Sequence, residues 1–370
     1  MEKLVENPFL DDIDDAVEDE AIVEDTAVSD TEDQQEVADN ELQDDAVDMS
    51  VSSSERSNKR VSRYRRRVVT DKDLDLLTFI ARFKFASEKQ LILLMNVTRK
   101  TVYKRLMGLR EIGMCKVHQD VSPNRVWSVT GKALQWLAEA GRIDINDVTE
   151  VKDISSSTLG HTLAINQTAL WLMRGHPTKK GLPPDLTIPY SIDSFVSEYQ
   201  IRSAWGAFKA TEREKIKKFG EGYVGSNHHD RVWDEAKKNG MSASEVHARF
   251  PSLWTIALRE AKNKHAKHSH VPDLVVNRES LRERHDKPVS FAFEIELNAK
   301  NRGETADILR SFKEDSTRYA HVFWVVPNEA VARHIKREDE GINMLDSGRM
   351  HILPLFDNHG VRLTDPAWRL

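Results

Sequence analysis

The run FAFEIEL, residues 291–297, sets two carboxylates, Glu294 and Glu296, at alternate positions of an apolar stretch. Alternate residues of a strand share a face, so the two acids project together while Phe293, Ile295 and Leu297 turn toward a core. A third carboxylate, Asp273, stands in HVPDLVV, and a gap of fourteen residues separates the two runs. Three acids at one strand edge repel each other, and they become favourable around a hard divalent cation such as Mg2+, which takes oxygen ligands. Such an ion can generate hydroxide and stabilise the charge of a phosphoryl transition state. Lys300 would lie on the same side if the strand's alternation continued to it. Glu198 in SEYQIR has two readings, an added carboxylate beside the same ion or a surface strand residue paired with Arg202. For Glu294 and Glu296 a salt-bridged structural pair is the alternative.

Those acids need a sheet to hold them. Val271–Val276, Phe291–Leu297 and His321–Val326 read as strands, with a helix over 304–319 between the last two and another from Asn328 to about Arg337. A helix from His161 to Arg174 comes earlier, and FVSEYQIRSAW reads as a strand. Residues 206–267, with 13 Lys/Arg and 8 Asp/Glu, read as a charged helical insertion. Six of the 14 His fall within 228–270, and their spacing favours exposed side chains over a zinc site. There is no GxGxxG, Walker lysine loop or G-x-S-x-G elbow, so nucleotide hydrolysis and serine hydrolase chemistry find no support.

A second constellation lies upstream. Thr70 can cap a helix carrying Leu74, Leu77, Ile80 and Ala81, and Ser87 with Gln90 has capping-box spacing ahead of Leu91, Leu94 and Met95. Thr98 opens a third helix that ends at Gly113 and keeps Val102, Leu106, Leu109 and Ile112 on one stripe. Two β-like runs, 114–118 and 125–129, flank a Ser-Pro-Asn turn, and Thr130 starts a further helix closed by Gly141. This order describes a winged helix-turn-helix. Its third helix would offer Arg99, Lys100, Tyr103, Lys104 and Arg105 to the major groove of double-stranded DNA, with Arg125 and the loop 119–124 as the wing. A solvated helix face, or protein contact such as homodimerisation, is the competing reading. Trp127, Trp136 and Trp171 read as core.

Charge is segregated along the chain. Residues 1–50 hold 20 Asp/Glu and one Lys, leaving 53 of the 54 Lys/Arg and 40 of the 60 Asp/Glu for residues 51–370. An acidic tail on a basic body suits a protein that meets a polyanion. Residues 1–54 cannot bury enough apolar surface to fold, and 55–67, ERSNKRVSRYRRR, carry seven Lys/Arg. That cluster is either a solvated linker or an arm on DNA, and the tail could compete with DNA for it. One cysteine, Cys115, excludes an intramolecular disulfide and fits a reducing compartment. The acidic start has no signal-peptide pattern and no apolar run reaches membrane-span length, so a cytoplasmic protein without membrane contact is expected.

PDLVV followed by FEIEL resembles the PD-(D/E)xK nuclease superfamily, with Asp273 in the first motif and Glu294 in the second. Glu296 stands where that superfamily places lysine, and Lys300 is a displaced substitute. The chain further resembles the replication-relaxation family of plasmid and mobile-element proteins over about residues 70–340. That likeness rests on WSVTGKALQWL, His161 in GHTLAINQTALWL, SEYQIR, PDLVV, FEIELNAKNR and VFWVV. It implies an α/β (α+β) protein with a winged helix over 70–141, a linker over 142–160, and a nuclease-like domain over 161–370. It also implies a role in plasmid replication, mobilisation or its control, with relaxosome or replication proteins as partners. Mg2+-dependent cleavage by Asp273, Glu294, Glu296 and Lys300, with Glu198 as an added ligand, is one option. An inactive scaffold is another.

Overall fold

Local caps start the helices. In this computed structural model, which describes residues 68–119, 125–175, 183, 186, 188–219, 228–257, 269–279, 288–300, 302–315 and 318–363, Thr70 caps α1 (Asp71–Arg82) through a reciprocal box with Asp73. Ser87 and Gln90 make the same box for α2 (Glu88–Met95). Asn96 ends α2 in the left-handed region (φ 51°), and two residues later Thr98 caps α3 (Arg99–Glu111). Strands β2 (Cys115–His118) and β3 (Val126–Val129) pair antiparallel, and β1 (Ala86–Ser87) adds to β3. Thr130 caps α4 (Gly131–Glu139). Gly113 and Gly141, both at positive φ, follow α3 and α4, where a side chain would be strained. Val102, Leu106 and Leu109 of α3 are fully buried, as is Trp127 of β3.

The expected tail and basic cluster, loop positions 120–124, and His265 and His268 lie outside the described residues. From Val69 onward the chain is one compact unit. One apolar core runs from Leu76 and Phe79 of α1 through Leu163 of α5 (Ser156–Arg174) to Phe291 and Leu353 in the large sheet. Gln90 Nε2 donates to the Leu163 carbonyl at 2.6 Å, and Asn166 Nδ2 donates to that of Phe85 at 2.6 Å, tying the α5 main chain and side chains to the first helices.

The large sheet has five strands in the order β10-β9-β8-β7-β4, where β4 is Phe195–Ser197, β7 Leu274–Val276, β8 Ser290–Ile295, β9 Tyr319–Val326 and β10 Met350–Pro354. Strands β8, β9 and β10 are parallel, and β7 is antiparallel to both neighbours. Helices α6 (Glu198–Phe219), α7 (His228–Lys238) and α8 (Ala243–Arg249) fill much of the charged insertion, followed by the two-stranded pair β5 (Ile256–Ala257) and β6 (Ser269–His270). Helices α9 (Arg302–Glu314) and α10 (Glu329–Asp339) complete the unit. Phe291, Phe293 and Ile295 of β8 are buried, and so are Ala292 and Glu294 between them, so both faces of the strand are covered. That pattern fits a strand in the middle of a partly parallel sheet.

Two readings need correction. FVSEYQIRSAW is not one strand: β4 stops at Ser197 and the rest is helical. Ser197 Oγ accepts from Gln200 N at 3.3 Å while Gln200 Oε1 accepts from Ser197 N at 3.2 Å, a capping box that turns the chain into α6. The helix placed over 304–319 ends at Glu314, and Tyr319 opens β9. No described helix is long and apolar enough to cross a membrane.

Candidate functional site

Asp273 sits just before β7, and Glu294 lies near the end of the adjoining strand β8. Asp273 is 6% exposed and Glu294 1%, so neither carboxylate can rely on water. Asp273 Oδ2 accepts from the Ile295 amide at 2.7 Å and lies 3.3 Å from His161 Nε2, which is also 3.1 Å from the Ile295 carbonyl oxygen. Burial works against the Asp273 charge, yet His161, Lys300 and the Ile295 N–H hold its carboxyl below the usual range. Burial likewise opposes a charged His161, but Asp273 and Glu198 outweigh it and lift the ring to about 9.

Glu294 takes a different partner. Its Oε1 lies 2.7 Å from His270 Nε2 of β6. Burial pushes the Glu294 carboxyl up, and His270 only partly offsets that. The expectation that the histidines of 228–270 are exposed fails at two positions. His270 is enclosed against Glu294 and the Phe312 ring, and His247 is buried between Trp233 and Trp254. Sequence reading missed His270, whose only cue is its position three residues before Asp273.

Glu296, 6% exposed, forms an ion pair with Lys300 at 2.8 Å. Strand alternation does not bring Lys300 there, because β8 ends at Ile295 and the bend after it returns the ammonium to Glu296. Burial would lower the Lys300 pKa, but Glu294, Glu296 and Asp273 more than compensate and raise it. Lys300 is therefore held as a cation among the acids.

Glu198 opens α6, and its main-chain N–H donates to the Asp273 carbonyl at 2.8 Å, fixing the two residues side by side. Arg202 Nε donates to Glu198 Oε1 at 2.6 Å, so the pairing expected from the sequence exists on a helix rather than a strand. The ligand atoms of His161, Glu198 and Asp273 all lie within 4.8 Å of one another. Glu294 and Glu296 are engaged by His270 and Lys300, and among the described residues they join no such group. The three-carboxylate ligand set is thus replaced by a nitrogen and two carboxylates. These donors fit a divalent cation, though an imidazole is not the ligand Mg2+ prefers. A cavity of about 320 Å³ opens beside this group, lined in part by His161, Glu198, Arg202, Lys84, Ser157 and Asn166.

The upstream basic residues divide in two. Lys100 and Lys104 are exposed on α3. Arg99 and Arg125 both reach one buried carboxylate, Glu88, at 2.8 and 3.4 Å, and Arg125 also stacks over Tyr103 at 4.8 Å. Arg105 is turned to Asp73 at 3.0 Å and supports the α1 cap. Comparison with family models, with curated proteins and with solved structures gives no match for this chain.

Proposed function

We propose that this chain is a double-stranded DNA-binding protein of the replication-relaxation type, acting in plasmid or mobile-element replication, mobilisation or its control. Residues 70–141 are read as a winged helix-turn-helix with α3 in the major groove and the β2–β3 hairpin as its wing. The observation that carries this reading is the outer face of α3. Lys100 and Lys104 stand free for phosphate there, next to the Tyr103–Arg125 stack of the hairpin, while the opposite stripe is buried. Arg99 and Arg125 share Glu88, which sets their position and reduces the charge they offer. Lys100→Ala combined with Lys104→Ala should weaken duplex binding and lower the slope of log affinity against log salt by about 2, since each phosphate contact contributes roughly 0.9. An unchanged slope in an anisotropy titration would sink the assignment.

A metal-dependent endonuclease is the second reading. It is favoured by the order β7, β8, α9, β9 within the large sheet, which brings Asp273 and Glu294 to neighbouring strand ends with Glu296 and Lys300 just beyond. The cavity at His161, with Lys84, Arg202 and Ser157 in its lining, suits an anionic phosphate. Nicking of supercoiled plasmid in Mg2+ or Mn2+ that disappears in Asp273→Ala supports it. DNA binding without nicking in either metal rejects it and leaves the first reading in place.

A further inference from the structure

We infer that His161, Glu198 and Asp273 form a binding site for a first-row transition cation of the Mn2+ or Zn2+ class, which keeps Asp273 of the all-carboxylate Mg2+ site that the FEIEL motif suggests but replaces Glu294 and Glu296 by an imidazole and Glu198.

The three side chains come from separate elements: α5, the first turn of α6, and the residue before β7. Their convergence is built by main-chain contacts rather than by chance meeting at a surface. The Glu198 amide bonds the Asp273 carbonyl at 2.8 Å, and the Ile295 amide holds Asp273 Oδ2 at 2.7 Å. Their ligand atoms lie within 4.8 Å of one another. Donors on one ion at about 2.0–2.2 Å stand roughly 3–3.5 Å apart, so side-chain rotation without backbone movement can close the set. Ion binding releases the proton that Asp273 and Glu198 hold on the His161 ring, and the resulting imidazole with two carboxylates makes a mixed N/O set that suits Fe2+ or Zn2+ and admits Mn2+, against cations that take oxygen alone.

A second, independent feature points to a ligand. His161 and Glu198 line the 320 Å³ cavity, which gives an ion and its remaining water ligands a way in. Asn166, fully buried, lines the same cavity, and its Oδ1 has no hydrogen-bond partner. A buried acceptor left unpaired is costly, and it belongs to a residue in the wall of the cavity that the ion would enter. The Arg202 guanidinium engages one Glu198 oxygen at 2.6 Å, and its side chain is 57% exposed, so it can swing aside as the ion enters.

The inference does not require cleavage, and metal uptake without nicking would leave it standing while rejecting the nuclease reading. The test uses the full chain with Mn2+, free ion counted by electron paramagnetic resonance, and with Zn2+ by equilibrium dialysis. One ion per chain is expected, with affinity falling at least tenfold in His161→Ala and in Glu198→Gln and changing less than threefold in Glu294→Gln. Circular dichroism confirms that each variant folds, and Glu198→Gln serves if His161→Ala does not. Neither ion bound at 1 mM, equal affinity in Glu198→Gln, or Mg2+ displacing Mn2+ at equal concentration would each overturn the assignment.

Discussion

The region of α1–α4 and the five-stranded sheet handle charge differently. In the first, the buried acids serve the helix starts and meet arginines that reach in from the surface, Asp73 with Arg105 and Glu88 with Arg99 and Arg125, while the lysines of α3 stay outside. In the sheet, Asp273, Glu294 and Glu296 are all buried, and each is matched by a cation: His161, His270 and Lys300. Removing charge from the outer face of α3 therefore alters what the surface attracts. Removing it from the sheet unbalances the interior. A charge change in the first region is read at the surface, and in the second it is entangled with stability.

The sharpest challenge to this contrast is His270→Ala. It strips the partner from a carboxylate that is 1% exposed and 2.7 Å away. Leaving a buried charge uncompensated costs about 3 kcal/mol. Urea unfolding at pH 7 should show that loss. An unchanged midpoint would mean that Glu294 keeps its proton and the pair is neutral, which would break the comparison.

Asp73→Ala should cost less, about 2 kcal/mol, by combining a lost cap with a lost charge-assisted bond from Arg105. The same urea titration measures it. A loss equal to that of His270→Ala would show that the two regions depend equally on buried charge.

The starts of α1, α2, α3 and α4 were legible because a cap is a local device, visible within four residues at Thr70, Ser87, Thr98 and Thr130. The same device at Ser197 and Gln200 is masked in the sequence by Phe195 and Val196, whose β-forming side chains favour a strand that continues. The two-residue β1 has too little sequence to announce itself. Strand β10 depends on parallel pairing with β9, a contact across intervening helix that no local pattern encodes. At the site, the acids were legible from strand alternation, but their partners were not. His161 reaches Asp273 across 112 positions and His270 reaches Glu294 across 24, distances set by sheet order and helix packing. Alternation also misled: it grouped Glu294 with Glu296, whereas packing gave each its own cation.

Acid and base should separate two further buried groups. Burial and Asp144 push the Asp147 carboxyl up to about 8, against Arg82. The folded state then keeps a proton that the unfolded chain releases near pH 4, so stability falls as pH rises from 4 to 8. Burial and His321 push His351 of β10 down to about 4. Here the unfolded chain gains a proton below about pH 6.5 that the folded state refuses, so stability falls as pH drops from 6.5 to 4. Relative to the parent chain, Asp147→Asn should gain most at pH 8 and His351→Gln most at pH 5, in urea midpoints taken at both values. Gains independent of pH would place the effect in packing instead.

The smallest stability effect belongs to the substitution that tests the proposed DNA contact. Lys100 and Lys104 are exposed and form no ion pair among the described residues, so their charges have little to lose on unfolding. Surface substitutions away from buried features stay within about 0.5 kcal/mol. Lys100→Ala with Lys104→Ala should therefore leave the urea midpoint in place, and any fall in duplex affinity then belongs to the contact itself. A loss above 1 kcal/mol would mean that the face of α3 supports the fold as the sheet's charges do, and the distinction between the two regions would not hold.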